Sequence, residues 1–227
     1  MTANLRASLA VFSIGFAIEG SGEFYAWVTH SAGFSTGGIL IALGPAFTVL
    51  GLLFLWMGRH EWNEIHHQRV KHAHRAFGLA IVSFIAAAGP LAYYTVYAQA
   101  QPPLWVAYEF GGAVGSLLLF SFVTYFLVIY HLVGLGGRGT LLASLAWSIG
   151  VSGWAGITIG GELGTYISWA RGGSLNVSAL AGPLTGIFGY FFLSYFLLFA
   201  AYADAHRRVA RGIVPTEAVA KPGPGPS

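Results

Sequence analysis

The sequence predicts an all-α integral membrane protein: a bundle of six transmembrane helices, built from two or three α-hairpin repeats, with both termini cytoplasmic. Three observations lead there. Hydrophobic residues make up 56% of the 227 and charged residues only 8%, against roughly 25% charged in a soluble domain. The apolar residues form six long runs, and about 20 helical residues are enough to cross a hydrocarbon core of about 30 Å. Finally, of the 11 Lys and Arg residues, Arg6, Arg59, Arg69, Lys71, Arg75, Arg138, Arg207, Arg208, Arg211 and Lys221 fall on one side of the predicted topology, and only Arg171 on the other. Basic loops stay in the cytoplasm, which sets the orientation and the expected location, a multi-pass protein of the cell membrane.

The first segment runs over about 7–29. Arg6 ahead of an apolar run resembles a signal peptide, but no clear small-x-small cleavage site follows Ala17, so the segment is kept as a membrane helix. The second, 36–58, contains Gly44-Pro45 and the third, 76–98, contains Gly89-Pro90. A helical proline removes a backbone hydrogen bond and usually kinks the helix. Segment four, 104–133, carries Gly111 and Gly115, and segment five, 141–163, carries Gly156 and Gly160, continued by Gly164. Such stripes let helix backbones approach closely in lipid, and packing within one bundle is the expected use. The sixth segment, 180–203, holds Gly182-Pro183. Strands of a membrane barrel alternate apolar and polar residues over about ten positions, which these continuous runs do not. Short connections make residues 1–206 one transmembrane domain, and 207–227 a basic, then disordered, cytoplasmic tail ending KPGPGPS.

An internal repeat adds detail. ASLA at 7–10 returns at 143–146, Gly22-Glu23 returns as Gly161-Glu162, and Gly44-Pro45 as Gly182-Pro183, with Glu-to-Pro intervals of 22 and 21 residues. Segments one and two therefore read as a copy of segments five and six. Both copies start on the cytoplasmic side, making them parallel repeats rather than inverted ones. Segments three and four are the candidate third hairpin.

With no cysteine in the chain, disulfides, thiolate metal sites, iron–sulfur clusters and cysteine nucleophiles are excluded. The formal charge of +3 follows from membrane orientation and calls for no nucleic-acid partner. The partners expected are the lipid bilayer and other membrane proteins or further copies of the chain.

Glu19, Glu23, Glu109 and Glu162 are the main functional clue. A charged carboxylate at the bilayer centre costs about 2.5–3.5 kcal/mol on insertion scales, so each must face protein, water or another of the four. Glu19 and Glu23 are one turn apart and share a helix face. Glu23, Glu109 and Glu162 fall in the outer third of their segments, where snorkelling or helix capping is the competing explanation, and Glu19 lies about one turn deeper. No Lys or Arg lies at that depth within these segments, which leaves Arg171 in the outer loop as the basic candidate. The pattern fits a cation site, a proton relay or a site for a cationic or hydroxylated substrate. Hard oxygen ligands suit Mg²⁺, Ca²⁺ or Mn²⁺.

Seven of the eight histidines lie on the cytoplasmic side: His60, His66, His67, His72, His74, His131 and His206. Their spacing matches no metal motif, and the Glu64/His67 pair lacks the partners of a di-iron bundle. His74 and His131 fall at similar depth on neighbouring segments and are the candidate axial pair for a haem b. Trp27, Tyr93, Tyr94, Tyr97, Trp105, Tyr108, Tyr166 and Trp169 form the expected outer aromatic belt.

No strongly specific catalytic motif is present. The leading expectation is a small transporter- or channel-like protein that uses the embedded carboxylates for a cation or proton. The competing expectations are a haem-bearing electron-transfer subunit and an accessory subunit that packs against a larger complex.

Overall fold

The computed structural model describes residues 3–29, 36–57, 70–98, 102–171 and 177–213. Among these residues every secondary-structure element is an α-helix: α1 (Ala3–Thr29), α2 (Thr36–Met57), α3 (Val70–Val96), α4 (Leu104–Ile129), α5 (Leu135–Gly161), α6 (Leu163–Ala170) and α7 (Val177–Ala210).

The six long helices coincide with the six predicted segments but differ at their ends. α3 starts at 70 rather than 76, and α7 continues to 210 rather than 203. An apolar run marks the length that crosses hydrocarbon, whereas the hydrogen-bonded helix continues into the polar boundary. There Arg207 and Arg208, in the last turn of α7, favour the negative end of the helix dipole. α6 is an additional short helix outside the six predicted segments. It follows a break at Glu162, whose φ of −93° and ψ of 6° end α5 just after the Gly160-Gly161 pair.

Among the described residues, five helices are long and apolar enough to cross a membrane: Ile39–Met57, His72–Val96, Leu104–Ile129, Leu135–Gly161 and Gly186–Ala210. α1 is the exception among the long helices. Its 27 residues reach about 40 Å at 1.5 Å per residue, but Arg6, Glu19 and Glu23 dilute its apolar character. At most 39% of any of the five spans is buried inside the bundle. Large apolar side chains therefore point outward, among them Val82, Phe84 and Ile85 on α3, Trp56 on α2 and Ile157 on α5. Polar Ser8, Ser144, Ser148 and Ser194 lie in the interior. Apolar outside and hydrogen-bonded polar inside is the arrangement that a lipid solvent favours, so the fold is compatible with a multi-pass membrane protein.

α1 packs between α2 and α7, α7 packs on α5, α5 on α4, and α4 on α3. The helices thus follow one another round the bundle as α2, α1, α7, α5, α4, α3. The seam between α2 and α3 holds an apolar cavity of about 390 Å³, lined by Leu52 and Trp56 of α2, His74 and Phe77 of α3, and Thr124 and Val128 of α4.

Small residues set the tightest crossings. On α4 and α5, a Cβ at Gly156 would lie 2.5 Å from the Gly111 carbonyl oxygen, one at Gly160 2.6 Å from the Ala107 carbonyl, and one at Gly115 2.9 Å from the Ser152 carbonyl. The two glycine stripes therefore face each other within one bundle. At the α1–α2 crossing, a Cβ at Gly15 would lie 2.9 Å from Phe47 Cβ, and the Ser8 hydroxyl donates to the Gly51 carbonyl at 2.9 Å. At the α5–α7 crossing the Ser144 hydroxyl donates to the Ser194 carbonyl at 3.1 Å, and Trp147 Nε1 to the Tyr190 carbonyl at 2.9 Å.

The centre of the bundle is aromatic. Phe16 of α1 lies 5.0 Å, ring centre to ring centre, from both Tyr125 of α4 and Tyr202 of α7. Phe12, against Tyr202, and Phe122, against Tyr125, complete the packing around these tyrosines.

Candidate functional site

Glu19 is reached by continuing α1 three residues, just under one turn, beyond Phe16, and Glu23 by one turn more. Both are buried, 7% and 5% exposed respectively, although α1 is otherwise lined by Leu9, Phe12, Phe16 and Ala26 on its protein-facing side. The burial follows from helix periodicity: positions 12, 16, 19, 23 and 26 recur at the 3- and 4-residue spacing of one helix face. A carboxylate placed on that face has to go inside.

Four helices meet at this point. The backbone of α2 clasps Glu19 through Gly44, where a Cβ would fall 2.7 Å from Glu19 Oε2 and 2.9 Å from its Cδ. On α7, the Tyr195 hydroxyl donates a hydrogen bond to Glu19, and Gly20 brings α7 close enough that its Cβ would lie 3.2 Å from that of Tyr195. Tyr125 of α4 stands near enough for the Glu19 charge to act on its hydroxyl, and the Thr48 hydroxyl of α2 faces that same hydroxyl. Glu23 is treated differently. Its Oε2 is buried and has no hydrogen-bond partner. Glu19, one turn away, is the charged neighbour that acts on it, and among the described residues no Lys, Arg or His pairs with either carboxylate.

Burying an ionised carboxylate without a compensating charge or donor costs several kcal/mol. An ionised pair so placed is compensated only by a positive species or by further donors. Tyr195 supplies one donor, to one of the four carboxylate oxygens.

Glu109 and Glu162 stand elsewhere. Glu109 is exposed near the start of α4. Glu162 joins α5 to α6: its carbonyl accepts the Thr165 and Tyr166 main-chain N–H groups, and its Oε2 accepts the Thr165 hydroxyl at 3.0 Å. Glu162 thus caps the short helix α6. Partial burial and the nearby Glu162 carboxylate hold the Tyr166 hydroxyl above the usual tyrosine range. Arg171 donates to the Tyr94 carbonyl near the C-terminal end of α3 and is not a partner of the buried pair. The Gly22-Glu23 and Gly161-Glu162 matches therefore occupy different environments, one mid-helix and one at a helix junction.

His74 is exposed on α3 and lines the apolar cavity at the α2–α3 seam. His131 lies in the turn after α4 with its ring edge-on to Tyr130 at 5.0 Å, and it is not among the residues lining that cavity. His60, Glu64, His66, His67 and the tail beyond residue 213 lie outside the described residues. Among the described residues, no three His, Cys, Asp or Glu side chains come together as a metal-binding group.

Thr48, Tyr125 and Tyr195 stand apart from the predicted aromatic belt and carry no local motif that marks them in the sequence. The available signal was depth. Tyr125 and Tyr195 lie inside apolar runs rather than at their ends, and a buried tyrosine hydroxyl usually finds a polar partner.

No protein-family model matches this chain, and no significant similarity links it to a curated protein or a solved structure.

Proposed function

We propose that the chain is a six-span membrane protein of transporter- or channel-like type, with the Glu19–Glu23 pair binding the cation or proton that it moves. One observation carries this reading: two carboxylates, one turn apart, are buried where α1, α2, α4 and α7 meet, with one tyrosine donor and, among the described residues, no basic partner. Such a pair is costly as a purely structural element, because apolar residues of similar volume are often as stabilising or more so than buried charge. Intramembrane ionisable residues mark ion and proton paths by default.

In this reading α1 is the sixth span. Glu19 and Glu23 are shielded by α2 and α7 on either side, and Arg6 lies at the exposed cytoplasmic end, so the lower hydropathy of α1 is no obstacle. Both termini are then cytoplasmic, and Glu109 and Glu162 belong to the outer end of the α4–α5 pair, where carboxylates attract cations. The two-hairpin relation is part of the same reading. It is supported by Ser8 and Ser144, the serines of the two ASLA matches, which are both buried and donate to carbonyls of α2 and α7, their expected hairpin partners. The spacings, 43 and 50 residues, place the two contacts at different registers.

The test is ion flux in proteoliposomes. Glu19→Gln keeps the shape and removes the charge, and it should reduce proton or cation flux to that of empty liposomes, while Glu109→Gln retains most of it. Flux unchanged by Glu19→Gln would overturn the assignment.

A further inference from the structure

We propose that the ion held by the Glu19–Glu23 pair is a proton, carried on Glu23 while Glu19 bears the negative charge that Tyr195 stabilises. This rests on the reading of the pair as an ion site and adds which ion it holds and on which residue.

The ligand set argues for it first. Ca²⁺ takes six to eight oxygen ligands and Mg²⁺ a near-ideal octahedron. Among the described residues no third acidic or imidazole side chain joins the pair, and the one hydroxyl bonded to it is that of Tyr195. A proton needs a single oxygen.

Space argues the same way. Glu19 lies directly on the main chain of α2, where even a methyl group at Gly44 would come within 2.7 Å of Oε2. Phe16, one turn toward the cytoplasmic end, is enclosed by the rings of Tyr125, Tyr195 and Tyr202. A hydrated or fully coordinated cation would have to part these helices, whereas a proton displaces nothing.

The asymmetry of the pair then assigns the proton. A hydrogen bond to a carboxylate favours its charged form, and Glu19 has one from Tyr195. Glu23 has an oxygen that is buried with no donor, the environment in which charge is least compensated. As a carboxylic acid, Glu23 carries no charge and presents its own O–H on the helix face that Glu19 shares. Among the described residues, the titratable groups facing the pair are Tyr195 from α7 and Tyr125 from α4. From α2 the neighbours are Gly44 and Thr48, neither of which titrates. Transfer within the pair breaks one O–H bond at Glu23 and forms one at Glu19, with charge conserved. The Tyr195 hydroxyl then loses its ionic acceptor, which couples the contact between α1 and α7 to where the proton sits.

Infrared difference spectroscopy of the purified full-length protein in lipid nanodiscs tests this directly. The expected result is a carbonyl stretch of a protonated carboxylic acid in an apolar setting. It should shift on exchange into D₂O, disappear reversibly under alkaline titration and be absent from Glu23→Gln. Tyr195→Phe should retain the band at an altered frequency. The alkaline titration uses the unaltered protein and so does not depend on any variant folding. Absence of the band from the unaltered protein, or its survival in Glu23→Gln, overturns the proposal. So does stoichiometric binding of Ca²⁺ or Mn²⁺ that Glu23→Gln abolishes. Flux of a metal cation that is lost in Glu19→Gln, with no such band, would sink the proton assignment and leave transport standing. The band without any flux would do the reverse.

Discussion

Glu19 depends on a glycine as much as on its tyrosine donor. Gly44 exposes the backbone of α2 so that the carboxylate can lie against it. Gly44→Ala should push Glu19 out of this position at a cost of about 1–3 kcal/mol, the usual range for overpacking, and it should lower both the melting temperature in detergent and the ion flux. Gly89→Ala is the control. It too is a helical glycine followed by proline, but nothing lies within 4 Å of where its Cβ would be, so both measurements should stay unchanged. Tyr195→Phe removes one hydroxyl from the same contact. A hydrogen bond to a charged group contributes about 1.5–3 kcal/mol, so this variant should also unfold earlier, by a few degrees. Of these residues, Glu19 and Glu23 could be found in the sequence because carboxylates are so rare in apolar runs that each demands a reason. Gly44 could be noticed but not assigned. Thr48, Tyr125 and Tyr195 stayed hidden because a single hydroxyl in an apolar helix is common, and only its neighbours give it a role.

At the scale of helices, the α4–α5 contact is set by four glycines, Gly111, Gly115, Gly156 and Gly160, with backbone against backbone. Lipid offers no hydrophobic incentive for helices to associate, so van der Waals contact and small residues have to supply it. Gly156→Leu places a large side chain where a Cβ alone would stand 2.5 Å from the Gly111 carbonyl oxygen. It should separate the helices and destabilise the protein strongly, whereas Gly150→Leu, whose Cβ would meet nothing within 4 Å, should fold normally. Thermal denaturation of the two variants side by side checks this. The glycine spacing was legible in the sequence, and so was its use within the bundle. The short α6 was not, because eight residues after a Gly-Gly-Glu break carry too little periodicity to separate a helix from a loop.

For the whole molecule, topology turns on α1. The five helices apolar enough to span by themselves are all later in the chain, so the side on which residue 3 emerges reports whether α1 crosses. The absence of cysteine makes single-cysteine labelling clean. Ala3→Cys and Arg211→Cys, both at exposed positions, should react with a membrane-impermeant maleimide only after the cells are permeabilised. Tyr97→Cys, 77% exposed at the other end of α3, should react on intact cells. Labelling of Ala3→Cys from outside would mean that α1 does not span, and the ion-path reading would lose the helix it is built on.

The class of fold, the existence and approximate bounds of six long helices, and the residues whose charge is out of place can all be read along the chain. These are local properties: run length, periodicity and composition act through neighbours along the chain. Helix packing brings Glu19 and Glu23 to one interior junction with Tyr195, while Glu109 faces out and Glu162 caps a helix. It also sets the seam of the ring of helices between α2 and α3. In lipid each helix can form almost independently, so its sequence leaves the choice of neighbour open. That choice rests on where small residues allow close approach and on which polar groups find partners across the gap, and both depend on residues far apart in the chain.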